Sequence, residues 1–169
     1  MTRKIFEQTA PEKQSGIITR TNDHFEWPDG PAIFMIDIDP EEGQAAPSMD
    51  ESISTMHAIC PEIRDAPKIW WPSSSSYIYR EDGTELTGLR GQRIYVPVDD
   101  GREIPRLAKT LWMRSWARGF GYIRLGASGQ RLKRSVFDDA VYQPSRLDFA
   151  AGASTGAGLY QKRGQPVVI

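Results

Sequence analysis

The sequence is organised around one short run, PAIFMIDIDP, which occupies residues 31–40. Its first six residues have the apolar character of a buried strand, and Pro40 and Gly43 end that strand. Because side chains alternate along a strand, Asp37 and Asp39 lie on the same face. The run therefore predicts a buried strand that ends in two neighbouring carboxylates.

Composition limits what kind of protein this is. The chain has 169 residues, of which 39% are hydrophobic and 25% charged, as is typical of one globular domain. No stretch approaches the roughly 18 apolar residues of a membrane span, and no apolar signal core follows the first residues, so we expect a cytoplasmic protein without a membrane partner. One cysteine and two histidines cannot build a disulfide or a Cys/His zinc site, which leaves carboxylates to hold any metal.

Two helices follow from local patterns. Ser48 and Glu51 have the spacing of a capping box, which predicts a helix from about residue 49 to residue 60. Apolar residues at helical spacing predict a longer helix from Ile104 to about Ala117.

Four further strands are predicted, at residues 68–71, 93–98, 121–125 and 146–149. In residues 93–98 the alternation places Ile94, Val96 and Val98 towards the core and Arg93 and Tyr95 on the opposite side. In residues 146–149 it places both charged side chains on one face. We expect an N-terminal arm or peripheral unit over residues 1–30, a catalytic core over 31–152, and a weakly structured tail over 153–169 at a boundary within a longer protein.

Charge is unevenly distributed, although the net charge is only -1. Residues 101–134 contain nine Lys or Arg and a single acid, whereas residues 37–62 contain seven acids and no Lys or Arg. Arg106, Lys109 and Arg114 lie on one side of the longer predicted helix and are candidates to bind nucleic-acid phosphates. A solvated helix face is the alternative interpretation.

Three acids are candidate metal ligands. Asp37 and Asp39 would present oxygens on one side of a strand end, and hard divalent cations prefer oxygen ligands. The alternative is an exposed strand end with solvated acids. Asp148 has a similar apolar setting, and its alternative is a salt bridge with Arg146.

Three segments together resemble the motifs of archaeo-eukaryotic primases. FMIDIDP, residues 34–40, resembles the first motif. Ser73, Ser74, Ser75 and Ser76 with GQRIYVPV, residues 91–98, resemble the two parts of the second motif, although residues 77–90 separate them. QPSRLDF, residues 143–149, resembles the third. Arg93 replaces the histidine of the second motif, and its charge and several donors suit the same phosphate-binding role.

The resemblance implies an α+β primase fold with an RNA-recognition-motif-like central sheet, flanked by helices and a smaller N-terminal unit. It implies a DNA primase or polymerase that performs metal-dependent, template-directed nucleotidyl transfer in the replication of a plasmid, phage or integrative element. Catalytic Asp37, Asp39 and Asp148 would hold Mg²⁺ or Mn²⁺. Arg93, Tyr95 and the four serines at 73–76 would bind the incoming nucleotide.

The implied partners are nucleoside triphosphates, a single-stranded DNA template or primer-template, and a helicase region in a longer parent protein. Two alternatives remain open: a non-catalytic nucleic-acid-binding replication module and a metal-dependent nuclease. The nuclease would need a base to activate water, and no histidine lies near the proposed metal motifs.

Overall fold

The computed structural model describes residues 16–41 and 43–169, and it confirms a mixed α+β architecture built on antiparallel sheets. Its strands are β1 (Ala32–Ile38), β2 (Ile69–Pro72), β3 (Ile78–Arg80), β4 (Glu85–Thr87), β5 (Gln92–Val98), β6 (Gly121–Leu125), β7 (Arg131–Ser135), β8 (Leu159–Gln161) and β9 (Val167–Val168). Its helices are α1 (Met49–Ile59) and α2 (Ile104–Ala117). The first half of the predicted N-terminal arm, residues 1–15, lies outside the described residues, and residues 16–31 form turns and bends.

The main sheet has the strand order β1-β5-β2-β9, and every neighbouring pair is antiparallel. Strands β1 and β2 therefore run in the same direction on either side of β5, and α1 connects them. This split β-α-β arrangement brings the predicted first and second motifs side by side, because β1 and β5 share their full length.

Both helices contribute to one core on one face of the main sheet. Alternation along β1 buries Phe34, Ile36 and Ile38, and β5 adds Ile94 and Val96. The helices complete the cluster with Met56 and Ile59 from α1 and Ile104, Ala108 and Leu111 from α2. The opposite face of the sheet consequently carries Asp37, Arg93 and Tyr95.

The helix boundaries follow their capping residues. At the start of α1, Ser48 and Glu51 form both hydrogen bonds of a capping box, as predicted. Helix α2 occupies its predicted range and is followed by Gly119 at φ +83°, a left-handed conformation that favours glycine. Within the described residues, neither helix is long and apolar enough to cross a membrane.

Two segments outside the predicted strands form a second sheet. Residues 77–90, which interrupt the second motif, fold into the β3-β4 hairpin, and β8 pairs with the other side of β3. Strand β9 pairs with β2 at the edge of the main sheet. The expected weakly structured tail is therefore tied to the domain at two places.

The strand predicted at residues 146–149 is wrong, because this segment has no regular secondary structure. It pairs with no described strand, and arginine side chains bind the backbone carbonyls at its last residue and directly after it. Arg93 donates to the carbonyl of Phe149, and Arg163 donates to those of Ala150 and Ala151. Leu147 and Phe149 are exposed, so the apolar alternation that predicted a strand does not face a core.

A buried glutamine links α1 to two strands. The side chain of Gln92 is fully buried; its Oε1 accepts from Ser52 Oγ at 3.0 Å and from Trp70 Nε1 at 2.6 Å. Its Nε2 donates to the Pro47 carbonyl at 2.6 Å. Each of these polar groups depends on Gln92 for its partner away from water.

We predict that Gln92→Leu lowers the free energy of unfolding by about 3 kcal/mol, because three buried polar groups lose their partner. Gln130→Leu, at an exposed turn, is the matched control and should change stability by less than about 0.5 kcal/mol. Urea unfolding followed by tryptophan fluorescence measures both. Equal effects would mean that water replaces the lost amide at residue 92.

Candidate active site

Strand register places the first two charged groups of the site opposite each other. Asp37 on β1 pairs with Arg93 on β5, and Met35 pairs with Tyr95 on the same face. Arg93 Nε lies 3.3 Å from Asp37 Oδ1, and the two side chains are only 13% and 14% exposed. The ion pair is therefore held by a fixed ladder and is largely shielded from water.

Asp148 joins this pair from the irregular segment that crosses the sheet. Its Oδ1 lies 2.8 Å from Arg93 Nη1, and its Oδ2 accepts a hydrogen bond from the Tyr95 hydroxyl at 2.7 Å. Asp148 thus pairs with Arg93 and not with its sequence neighbour Arg146. The guanidinium contacts Asp37 and Asp148 at once, so the residues predicted from the first, second and third motifs meet in one cluster.

Asp39 lies against Gly91 and Ser73 of the second motif, because Gly91 has no side chain to occupy this space. A Cβ atom on Gly91 would come within 2.2 Å of Asp39 Oδ1 and 2.8 Å of Ser73 Oγ. The Ser73 N–H also donates to the Gly91 carbonyl at 2.7 Å, and Ser73 Oγ lies 2.8 Å from Ser75 Oγ. Gly91 therefore lets a carboxylate and a serine hydroxyl approach the same stretch of backbone.

The four predicted serines differ in what they can bind. Ser76 is fully buried; its hydroxyl donates to the Gly91 carbonyl and accepts from the Arg90 N–H. The backbone carbonyls of Ser74 and Ser76 accept from the amide of Gln161 on β8. The hydroxyls of Ser73 and Ser75, which lie beside Asp39, are thus better placed to meet a ligand than that of Ser76.

Sequence reasoning missed a fourth acid, Asp138. Its backbone N–H donates to the Asp37 carbonyl at 2.8 Å, so it lies along the outer edge of β1. It shares a cavity of about 210 Å³ with Asp39 and with Glu41, Trp112, Tyr122, Arg124, Arg134 and Asp139. The sequence contains a signal for Asp138, because the apolar Phe137, which is buried, directly precedes it. The apolar run of β1 precedes Asp37 in the same way. In the described part of the chain, no three His, Cys, Asp or Glu side chains are grouped closely enough to hold a metal as they stand.

Comparison with known proteins gave no match. No protein-family model, curated protein or solved structure matches this chain. The resemblance to archaeo-eukaryotic primases therefore rests on the sequence motifs.

Burial and neighbouring charges shift the acid-base behaviour of the site. Burial, then the charges of Asp39 and Asp138, raise the pKa of Asp37 to about 6, against the opposing effect of Arg93. Burial and the hydrogen bond to Asp148 raise the pKa of Tyr95 to about 12. Burial lowers the pKa of Arg93, but the charges of Asp148 and Asp37 outweigh burial and raise this pKa above its ordinary value. The positive charge of Arg93 therefore does not fully offset the burial and the neighbouring negative charges that raise the pKa of Asp37.

A buried hydroxyl faces the same acids from the other side of β1. Tyr142 stacks on Phe34 with ring centroids 4.9 Å apart, and its hydroxyl has no hydrogen-bond partner within the described residues. Burial, and then the charges of Asp37, Asp138 and Asp139, raise its pKa.

The structure separates the three basic residues predicted on α2. Arg106 pairs with Glu103, and Arg114 pairs with Glu62 at 2.7 Å. Both line a cavity of about 220 Å³ that contains none of the acids of the candidate site. Lys109 lies elsewhere, in a hollow with Asp139 and Tyr142. Of the three, Lys109 is nearest to the acids, and its role in binding nucleic acid stays a prediction.

The raised pKa of Asp37 predicts a stability that falls as pH rises. Its unfolded value is near 3.8 and its folded value about 6, so the neutral form favours folding below about pH 4. That contribution is lost as pH rises through about 6. In chelator at pH 8, Asp37→Asn should raise the free energy of unfolding by up to about 3 kcal/mol and should add little near pH 4.

Chemical unfolding at both pH values measures this difference. Asp99→Asn, at an exposed bend directly after β5, is the matched control and should change stability by less than about 0.5 kcal/mol at both pH values. Equal stabilities of the parent and Asp37→Asn at pH 8 would mean that Arg93 fully neutralises the carboxylate.

Proposed function

We propose that this chain is the catalytic domain of a DNA primase-polymerase related to the archaeo-eukaryotic primases. The observation that carries the proposal is the meeting of three separate motifs around one arginine: Asp37, Arg93 and Asp148 are in direct contact. Asp39 and Ser73 adjoin them at Gly91. These residues are far apart in sequence and come together only through the fold. The resemblance predicts that they form one site.

The topology supports the finer proposal of an RNA-recognition-motif-like sheet. Strands β1 and β2 flank β5 with α1 between them in sequence, and α2 follows β5. Both helices pack on one face, which leaves the other face for the charged residues. A nucleic-acid enzyme with this topology would bind its substrates on the face of the sheet opposite the helices.

The chain's own residues are proposed to bind and orient the nucleotide. Arg93 has several N–H donors on the sheet face opposite the helices, where the segment with Asp148 crosses it, and would hold the triphosphate. The hydroxyls of Ser73 and Ser75 would add donors beside Asp39, and Tyr95 would orient Arg93 through Asp148. The reaction joins the 3′-hydroxyl of a primer strand to the α-phosphate of the nucleotide and releases pyrophosphate, which requires no covalent enzyme intermediate.

Asp37 and Asp39 are proposed to hold Mg²⁺ or Mn²⁺. The fit follows from a donor set made of oxygens, and from the burial of Asp37 near Asp39 and Asp138, which raises its pKa. When bound, such ions activate the attacking oxygen and stabilise the leaving one.

The third ligand has two candidates. The resemblance assigns Asp148, whose two oxygens are both engaged, by Arg93 and by Tyr95. Asp138 adjoins Asp37 through a backbone hydrogen bond and lines the cavity that contains Asp39; one of its side-chain oxygens, Oδ1, accepts from the Ala140 N–H. We therefore propose Asp138 as the third metal ligand and Asp148 as the residue that positions Arg93.

One assay tests the function and separates the alternatives. The purified protein is incubated with a primed DNA template, labelled deoxynucleotides and Mn²⁺. We expect primer extension, and we expect Asp37→Ala, Asp39→Ala and Asp138→Asn each to reduce it at least about 100-fold. Asp148→Asn should weaken nucleotide binding and reduce extension less. Degradation of the primer would instead indicate a nuclease, and unchanged DNA a non-catalytic binding module.

Arg93 provides a second prediction. Arg93→Ala should raise the KM for nucleotide at least about tenfold, because a charge-assisted contact to the triphosphate is lost. Arg93→His should recover part of this loss, since histidine stands at the corresponding position in the resembling family. Unfolding of both variants is measured in parallel, because either change leaves Asp37 and Asp148 without their cation. An unchanged KM in a folded alanine variant would remove Arg93 from the nucleotide site.

The partners proposed are nucleoside triphosphates, a template or primer-template, and a helicase region in a longer parent protein that acts in the cytoplasm on a mobile element. Pull-down of the full-length parent protein with forked DNA would test the helicase association.

A further inference from the structure

The β6-β7 hairpin extends from the rest of the domain as a two-stranded ribbon. Its pairs run from Gly121 with Ser135 to Leu125 with Arg131, and most of its residues are exposed. Within the described residues it pairs with no third strand, so both of its long edges are open. Five residues per strand give it a length of about 16 Å.

The ribbon carries positive charge on both faces and no acid. Strand register places Arg124 and Arg134 on one face and Arg131 and Lys133 on the other. Arg124 pairs with Glu41 at 2.7 Å, whereas the other three form no ion pair with any described residue. The face with Arg124 and Arg134 lies towards Glu41 and the acid cavity, so the face with Arg131 and Lys133 is the one that would meet an anionic partner.

Exposed apolar side chains lie among these cations. Ile123 and Leu125 are 50% and 70% exposed, and they pair across the strands with Lys133 and Arg131. Such a mixture fits a partner that offers both phosphates and less polar surfaces between them, as the edges of nucleic-acid bases do.

The root of the ribbon is fixed beside the acid cavity. Glu41 accepts hydrogen bonds from the Tyr122 hydroxyl and from Arg124, both at 2.7 Å. Ser135 donates to Ser115 of α2 at 2.8 Å. Arg134 and Asp39 line the same cavity, so a polymer bound by the ribbon would have one end close to the candidate active site.

We propose that the ribbon inserts into the major groove of a B-form DNA duplex. That groove is about 12 Å wide and admits a two-stranded β-ribbon, and its two walls are lined with phosphates. The face that carries Ile123, Leu125, Arg131 and Lys133 would lie towards the base edges, and the two cations would reach the phosphates of the walls. The inference rests on the proposed function only where it names the duplex part of a primer-template as the partner. DNA binding measured without catalysis tests the inference.

The binding experiment uses the intact chain in EDTA without nucleotides. Fluorescence anisotropy follows a labelled 20-base-pair DNA duplex over a range of salt concentrations. Simultaneous Arg131→Ala, Lys133→Ala and Arg134→Ala should weaken binding more than tenfold at 0.1 M salt and reduce the slope of log K against log salt by about 2 to 3. The matched control removes the same charge from α2 through Arg106→Ala, Lys109→Ala and Arg114→Ala, and should change both quantities less.

A second comparison tests entry into the groove. An RNA duplex of the same length carries the same charge, but its major groove is deep and narrow. We expect the parent protein to bind this RNA at least about tenfold more weakly than the DNA, and the ribbon variant to lose most of that preference. Lys133→Glu, a single exposed change, should also weaken DNA binding and guards against misfolding of the triple variant.

Several results would overturn the proposal. They are an unchanged DNA affinity and salt slope in the ribbon variants, a larger loss in the α2 variant, or equal affinity of the parent for DNA and RNA duplexes. Binding to phosphatidylglycerol vesicles that the ribbon variant loses, with DNA binding intact, would assign the ribbon to an anionic lipid surface and would also overturn it. Loss of primer extension with ribbon-dependent DNA binding intact would instead count against the proposed catalytic function alone.

Discussion

The antiparallel ladder between β1 and β5 is the constraint on which the rest of the molecule depends. Its register buries Phe34 and Ile36 beneath the helices and, on the other face, sets Asp37 against Arg93. A slip of one residue would reverse both faces, exposing the core and burying the acids, so the apolar packing fixes the register. The charged cluster is thus positioned by hydrophobic burial on the far side of the same strands. Burial, and then the charges of Asp39 and Asp138, raise the pKa of Asp37 to about 6 against the opposing effect of Arg93.

The parts of the fold that follow strong periodic patterns could be predicted from the sequence. Helix α2 occupies its predicted range, α1 begins at its capping box, and β1, β2, β5 and β6 agree within two residues. Strands β3, β4, β8 and β9 have only two or three residues, which is too short for any period to appear. Their pairing depends on partners distant in sequence, as when β8 meets β3. Residues 146–149 show the reverse error: the alternation was present, but the segment pairs with no described strand, and Arg93 binds the Phe149 carbonyl.

The site was predictable where an acid follows a buried strand, and less so where loops decide. Asp37, Asp39 and Arg93 lie on or directly after the two longest strands of the main sheet, so alternation alone assigned their face. The pairing of Asp148 with Arg93 and Tyr95 could not be derived from spacing, because it depends on how an irregular segment crosses the sheet. Asp138 was missed because one acid after one apolar residue is common, and only the fold places it along β1. The serines were predicted as a group, whereas the structure buries Ser73 and Ser76 and leaves Ser75 exposed.

Arg93 has competing uses, and this competition connects stability to the proposed chemistry. In the described structure its donors are taken by Asp37, by Asp148 and by the Phe149 carbonyl. A triphosphate bound by Arg93 must replace some of these contacts, and it also adds negative charge next to Asp37. Under the proposed function, Arg93 would be released from charge compensation once a cation occupied Asp37 and Asp39. Metal and nucleotide would then bind with positive coupling, because each would lower the electrostatic cost of the other.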